Sequence, residues 1–134
     1  MRRYALLLPF VAAAVVAACT PPPVEVGRGL YNDVCAACHG ATGKGDGRLA
    51  GDLGQRPPDL TMLTARNGGV FPQAAVMGVI DGYHRRDDPH GEMPVFGDLL
   101  AEGNLVGVDT GDGRLTPTPE RLVALAAYVE RLQK

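Results

Sequence analysis

The chain is short of aromatics, of cysteine and of positive charge. Across 134 residues the aromatic share is 5%, there are three cysteines, and 13 Lys and Arg face 15 Asp and Glu. A formal charge of −2 argues against a nucleic-acid partner and against a basic docking face spread over the whole surface. Glycine is plentiful in Gly40-Ala41-Thr42-Gly43-Lys44-Gly45-Asp46-Gly47, yet the Walker spacing is missing, because no Ser or Thr follows the lysine. The stretch also follows a helical pattern instead of a strand, which argues against a nucleotide loop of that type. One small domain fits in this length, and with so few aromatics it would gain from a large ring system buried in its core.

What the chain does contain is Cys35-Ala36-Ala37-Cys38-His39. At the end of a helix, cysteines three residues apart share one face, so both sulfurs can reach one edge of a flat macrocycle. His39 follows at once and can bring its imidazole under the centre. The spacing is that of covalent c-type haem attachment, with Cys35 and Cys38 as thioether carriers and His39 as an iron ligand. Zinc would accept two thiolates and an imidazole, but it needs a fourth ligand, and no fourth cysteine exists. A thioredoxin-like dithiol would accompany a βαβ pattern, which is not found.

The N-terminus reads as an export signal. Arg2 and Arg3 precede a nearly all-apolar run from Leu6 to Ala18, too short for a comfortable membrane span. Val16-Ala17-Ala18-Cys19 resembles the bacterial lipoprotein cleavage motif, in which the cysteine becomes the lipid-bearing first residue. Ordinary cleavage near Ala18, or an uncleaved anchor, are the alternatives. The expected organisation is a signal peptide over residues 1–18, a lipidated tether over 19–25 and one domain over 26–134. The protein would then be exported and held on a bacterial membrane, facing the periplasm, by lipid on Cys19. Each buried methylene contributes about 0.8 kcal/mol, so several acyl chains make a durable anchor. With one cysteine for lipid and two for haem, no disulfide is expected. Without Arg2 and Arg3, 11 basic residues face 15 acidic ones, a balance of −4. Pro21, Pro22 and Pro23 favour an extended arm.

Helical patterning begins near Glu25 and runs through Ala37, with Gly27, Tyr31 and Val34 on one face. A second helix starts at Pro72 and stops before Gly82, with Val76, Val79 and Ile80 on its apolar side and Met77 as core filling. The last helix has Thr118 as expected N-cap, Pro119 at its first position, and a stripe of Leu122, Leu125, Val129 and Leu132. Asp59 is expected to cap a helix over Leu60 to Arg66 in preference to acting as a catalytic acid. Residues 98–117 read as an exposed excursion with a short helix near Leu99 and Leu100. Asp109-Thr110-Gly111-Asp112-Gly113 lacks the alternating ligands and terminal glutamate of a calcium loop.

Taken together, these residues resemble the class I cytochrome c family over nearly the whole mature chain. Gly27 and Tyr31, eight and four residues before Cys35, match the family's small and aromatic residues where the N- and C-terminal helices cross, and Leu125 and Tyr128 match the partners. His39 and the glycine-rich stretch after it match the family's Cys-His-Gly-x-x-Gly-x-Gly-Asp-Gly form, and Pro57-Pro58-Asp59-Leu60 matches its Pro-Pro-Asp-Leu stretch. The resemblance implies an all-α class I cytochrome c fold, with crossed terminal helices around one covalent haem c. It also implies that a backbone carbonyl of Pro57 or Pro58 accepts from the second ring nitrogen of the ligating His39.

Met62, Met77, Met93, His84 and His90 are all chemically able to fill the iron's sixth position. Met93-Pro94-Val95-Phe96 resembles the Met-Pro-x-Phe segment that carries the family's axial methionine, and Pro94 would keep Met93 out of helical geometry. His84 and His90, among Arg85, Arg86, Asp87 and Asp88, read as a solvated loop.

With His39 and Met93 on the iron, the expected activity is electron transfer between membrane redox proteins acting as donor and acceptor, without bond chemistry. Two rival readings stand beside it: a ligand-binding or peroxidatic haem protein with a dissociable sixth ligand, and an electron-entry subunit of a larger oxidoreductase.

Overall fold

The computed structural model describes residues 23–83 and 93–134. The signal segment, Cys19, the first residues of the tether and the loop carrying His84 and His90 lie outside the described residues. No helix among the described residues is long and apolar enough to cross a membrane.

Helix α1 spans Pro23–Val34. It begins two residues before Glu25, because Pro23 has the backbone angle of a first helical residue and no N–H to leave unpaired. Glu25 stands in the first turn, where a carboxylate favours the helix dipole, and Arg28 pairs with it in solvent. The buried face is Gly27, Leu30 and Tyr31. After a turn at Cys35, a short helix α2, Ala36–His39, carries the rest of the cysteine-histidine motif.

A 3₁₀ turn at Leu60–Met62 leads into α3, Leu63–Arg66. The Asp59 carboxylate accepts from the Thr61 N–H at 2.9 Å and the Thr61 hydroxyl at 2.7 Å, so Asp59 is the expected cap. Helix α4, Gln73–Asp81, follows Pro72 and ends at Gly82 in a left-handed conformation. Helix α5 is a single turn, Gly97–Leu100.

An all-helical fold does not describe the next segment. Strands β1, Leu105–Asp109, and β2, Leu115–Pro119, form an antiparallel hairpin in the excursion. Its tip is closed by Asp109, whose carboxylate accepts from the Gly111 and Gly113 N–H groups at 2.8 and 3.1 Å, and by Asp112, which accepts from Arg114 N–H. These carboxylates hold the turn together.

Helix α6, Glu120–Arg131, starts directly from β2. Thr118 pairs with Val106 in the ladder, and its hydroxyl donates to the Thr116 carbonyl, so Pro119 takes the N-cap position in its place. The Glu120 N–H instead donates to the Asn104 carbonyl at 2.9 Å. The strand has claimed the residue that local sequence marked as a cap.

Helices α1 and α6 make the main packing contact. A Cβ at Gly27 would lie 1.9 Å from the Ala124 carbonyl oxygen, so only glycine lets the two backbones meet there. Tyr31 is fully buried one turn on, with its ring 5.2 Å from that of Tyr128. Leu125 and Ala126 are fully buried on the opposing helix, and Leu30, Met77, Ile80, Leu100, Leu122 and Val129 complete the core.

Candidate functional site

The site is built on α2 and on the loop that folds back beneath it. Cys35 and His39 are buried and Cys38 is half-buried. Burial, with Cys38 close by, pushes the Cys35 thiol up to about 12, which keeps it a thiol at neutral pH. Tyr31, next to Cys35, has its hydroxyl ionisation pushed upwards by burial, and it donates to the Gly40 carbonyl at 2.8 Å.

The carbonyls at the end of α2 are satisfied by the glycine-rich loop. Gly45 N–H donates to His39 O at 2.8 Å, Gly47 N–H to Cys38 O at 3.1 Å, and Leu49 N–H to Ala37 O at 2.9 Å. Gly45 has φ of +71°, and a Cβ there would stand 2.1 Å from the Pro57 carbonyl oxygen. The missing side chain is what lets Pro57-Pro58 lie against the backbone that carries His39. Arg56, just before it, donates from Nε to the Gly45 carbonyl at 3.1 Å.

This framework borders one cavity of about 410 Å3, which Tyr31 and Arg56 line. Cys35, Cys38 and His39 line it together with Pro57 and Pro58. Leu60 and Leu63 contribute from the segment after the prolines, and Val76, Val79 and Ile80 from α4. Met93, Pro94 and Phe96 line it as well, from the residues that lead into α5. Met62 and Met77 do not, and Met77 is buried in the core as expected. Among the described methionines, Met93 alone shares the cavity with His39.

Two thiols and an imidazole on α2 and the turn just before it, a thioether in the same cavity and largely aliphatic walls make a donor set suited to an iron porphyrin. Among the described residues, no group of three or more His, Cys, Asp or Glu side chains gathers to hold a metal ion in any other way. Residues 24–133 match the family model for cytochrome c. The chain belongs to the cytochrome c family. The cofactor of this cytochrome c is one covalently attached haem c, and the cavity residues fit it. No curated protein matches the sequence closely enough to add to this.

Two features of the cytochrome's pocket have no local signature. Gln133, beyond the end of α6, accepts from the Thr64 N–H at 2.9 Å and donates to the carbonyls of Leu60 and Val129 at 2.7 and 2.8 Å. The Lys134 N–H adds a bond to the Thr61 carbonyl at 3.2 Å. The C-terminus thereby clamps the segment that brings Leu60 and Leu63 to the cavity. Arg56 is the second: it is the one Lys or Arg among the lining residues, in a largely apolar setting. Both depend on residues far apart in sequence.

Proposed function

We propose that this protein is a class I cytochrome c that carries single electrons between membrane redox partners, with His39 and Met93 as the axial ligands of its iron. The observation that carries the reading is that His39 and Met93 line one cavity, whereas Met62 and Met77 do not. Bound haem supplies a one-electron couple. Cys35 and Cys38 would tie it to α2 and the turn before it, and His39 and Met93 would reach it from different parts of the chain. With haem bound, a backbone carbonyl of Pro57 or Pro58, which line the same cavity, would hold the His39 ring by accepting from its second nitrogen. Arg56 stands where a cation can balance a carboxylate of the cofactor.

A thioether ligand favours the reduced state relative to a second imidazole, and two occupied axial positions leave no site for a substrate. Electron transfer without bond chemistry follows. Val16-Ala17-Ala18-Cys19 supports an exported lipoprotein, tethered through Cys19 on the periplasmic side, and such a tether raises the local concentration at partners in the same membrane. Enzymatic turnover is not expected.

The test is optical. In the oxidised protein, the methionine-to-iron charge-transfer band in the far red should disappear in Met93→Ala and persist in Met62→Ala and Met77→Ala. Retention of the band in Met93→Ala would overturn the ligand assignment. Rapid carbon monoxide binding by the reduced wild type at neutral pH would favour the dissociable-ligand rival instead.

A further inference from the structure

The hairpin takes no part in the cavity, and its two edges differ. β1 and β2 pair antiparallel from Leu105 opposite Pro119 to Asp109 opposite Leu115. In such a ladder, alternate residues turn their N–H and C=O groups towards the neighbouring strand, and those between turn them outwards. The bond from Glu120 N–H to Asn104 O sets the parity. Residues 106 and 108 bond inwards to 118 and 116, while 105, 107 and 109 on β1 and 115, 117 and 119 on β2 face outwards.

Pro117 and Pro119 therefore occupy two of the three outward positions of β2, where their missing N–H groups cost the hairpin nothing and deny that edge to another strand. β1 has no such guard. Its outward N–H groups, at Leu105, Gly107 and Asp109, have no partner among the described residues. β2 runs directly into α6, and β1 meets the core through the side chain of Val108 alone, which leaves its outer backbone edge unpaired among the described residues. Leu105 is 62% exposed. An unpaired edge of this kind is a template for strand addition.

We propose that β1 pairs with β1 of a second copy of this chain, antiparallel about a two-fold axis at Gly107, to form a four-stranded sheet. The edge is self-complementary in this register. Leu105 lies opposite the partner's Asp109, each Gly107 faces the other, and all outward N–H and C=O groups of the three residues find partners. The contact is isologous and closed, because β2 blocks growth on both flanks. Charge favours the same register. Asp109 is the one charged residue of β1, and the axis separates the two copies of it by four residues, roughly 13 Å along the strands. No like charges stand opposite each other.

Hydrogen exchange and sedimentation of the haem-loaded protein test this directly. The amides of Leu105, Gly107 and Asp109 should gain protection as concentration rises from micromolar to millimolar, in step with dimer formation. Leu105→Glu puts a carboxylate opposite Asp109 at two symmetric places and should weaken the dimer roughly 2- to 30-fold, and Leu105→Lys should strengthen it by a similar factor. Both changes fall on an exposed side chain, so the fold survives them. Three outcomes overturn the proposal. Fast exchange at every concentration would leave the edge open for some other polypeptide. Protection even at high dilution would mean that the chain covers its own edge. Equal effects of Glu and Lys would place association on another surface.

Discussion

Gly27 and Gly29 lie two residues apart on α1, and substitution by alanine should move stability in opposite directions. Alanine is favoured over glycine inside a helix by about 1 kcal/mol, and this gain is common to both sites. At Gly29 a new Cβ meets nothing within 4 Å, so Gly29→Ala should stabilise by about 0.5–1 kcal/mol. At Gly27 the Cβ would stand 1.9 Å from the Ala124 carbonyl oxygen, against a normal contact of about 3.3 Å. The obstacle is α6 backbone, which has no rotamer to change, and the Tyr128 Cβ is 3.0 Å away on the same side. The helices must part by about 1.4 Å, the difference between those two distances. That separation also loosens the Tyr31–Tyr128 ring contact. Overpacking costs about 1–3 kcal/mol, and an unyielding backbone puts this site at the upper end. The net expectation for Gly27→Ala is a loss of about 2 kcal/mol, or roughly 8–16 °C in melting temperature for a domain near this size. Guanidinium and thermal unfolding of the haem-loaded variants, followed by far-ultraviolet circular dichroism, give both numbers. A Gly27→Ala variant as stable as Gly29→Ala would refute the direct helix contact.

Other measurements probe the loops and the pocket. The two bonds from Thr61, the side-chain one first, hold the Asp59 carboxyl below the usual carboxylate range. Its contribution is therefore present above the unfolded value near pH 4 and is lost as pH falls through the lower folded value, so the gap between wild type and Asp59→Ala should close on acidification. Gln133→Ala removes the clamp on residues 60–64 and should cost about 1–3 kcal/mol, with faster exchange of the Thr64 amide as its local sign. Arg56→Gln removes a positive charge from the cavity rim and should lower the midpoint potential by roughly 20–60 mV, with Arg56→Lys close to wild type. An unchanged potential in Arg56→Gln would place the guanidinium away from the redox centre.

Legibility in the sequence followed the range of the interaction. The Asp59 cap and the helix from Pro72 to Gly82 are set by contacts within a few residues, and both stand where the sequence put them, whereas the single helix expected through Ala37 breaks at Cys35. The hairpin was hidden because the glycines from Gly103 to Gly113 read as turns, Pro117 closed an exposed excursion, and Pro119 read as the first residue of the last helix. The two prolines are tolerated in a strand only because the register points them outwards, and register is a property of two strands at once. The same cause displaced the cap of α6 from Thr118, since the pairing with Val106 outcompetes a single side-chain bond.

The sequence by itself marked Cys35 and Cys38 as the pair suited to carry haem, with His39 beside them, because covalent chemistry at a fixed spacing needs only one turn of helix. It also marked the small and aromatic residues through which the terminal helices meet. Only the tertiary structure decided which methionine shares the cavity with His39, which carbonyls crowd Gly45, and which edge of the hairpin stays open. Each of those depends on bringing distant segments within a few ångströms, and that proximity comes from packing the core around α1 and α6.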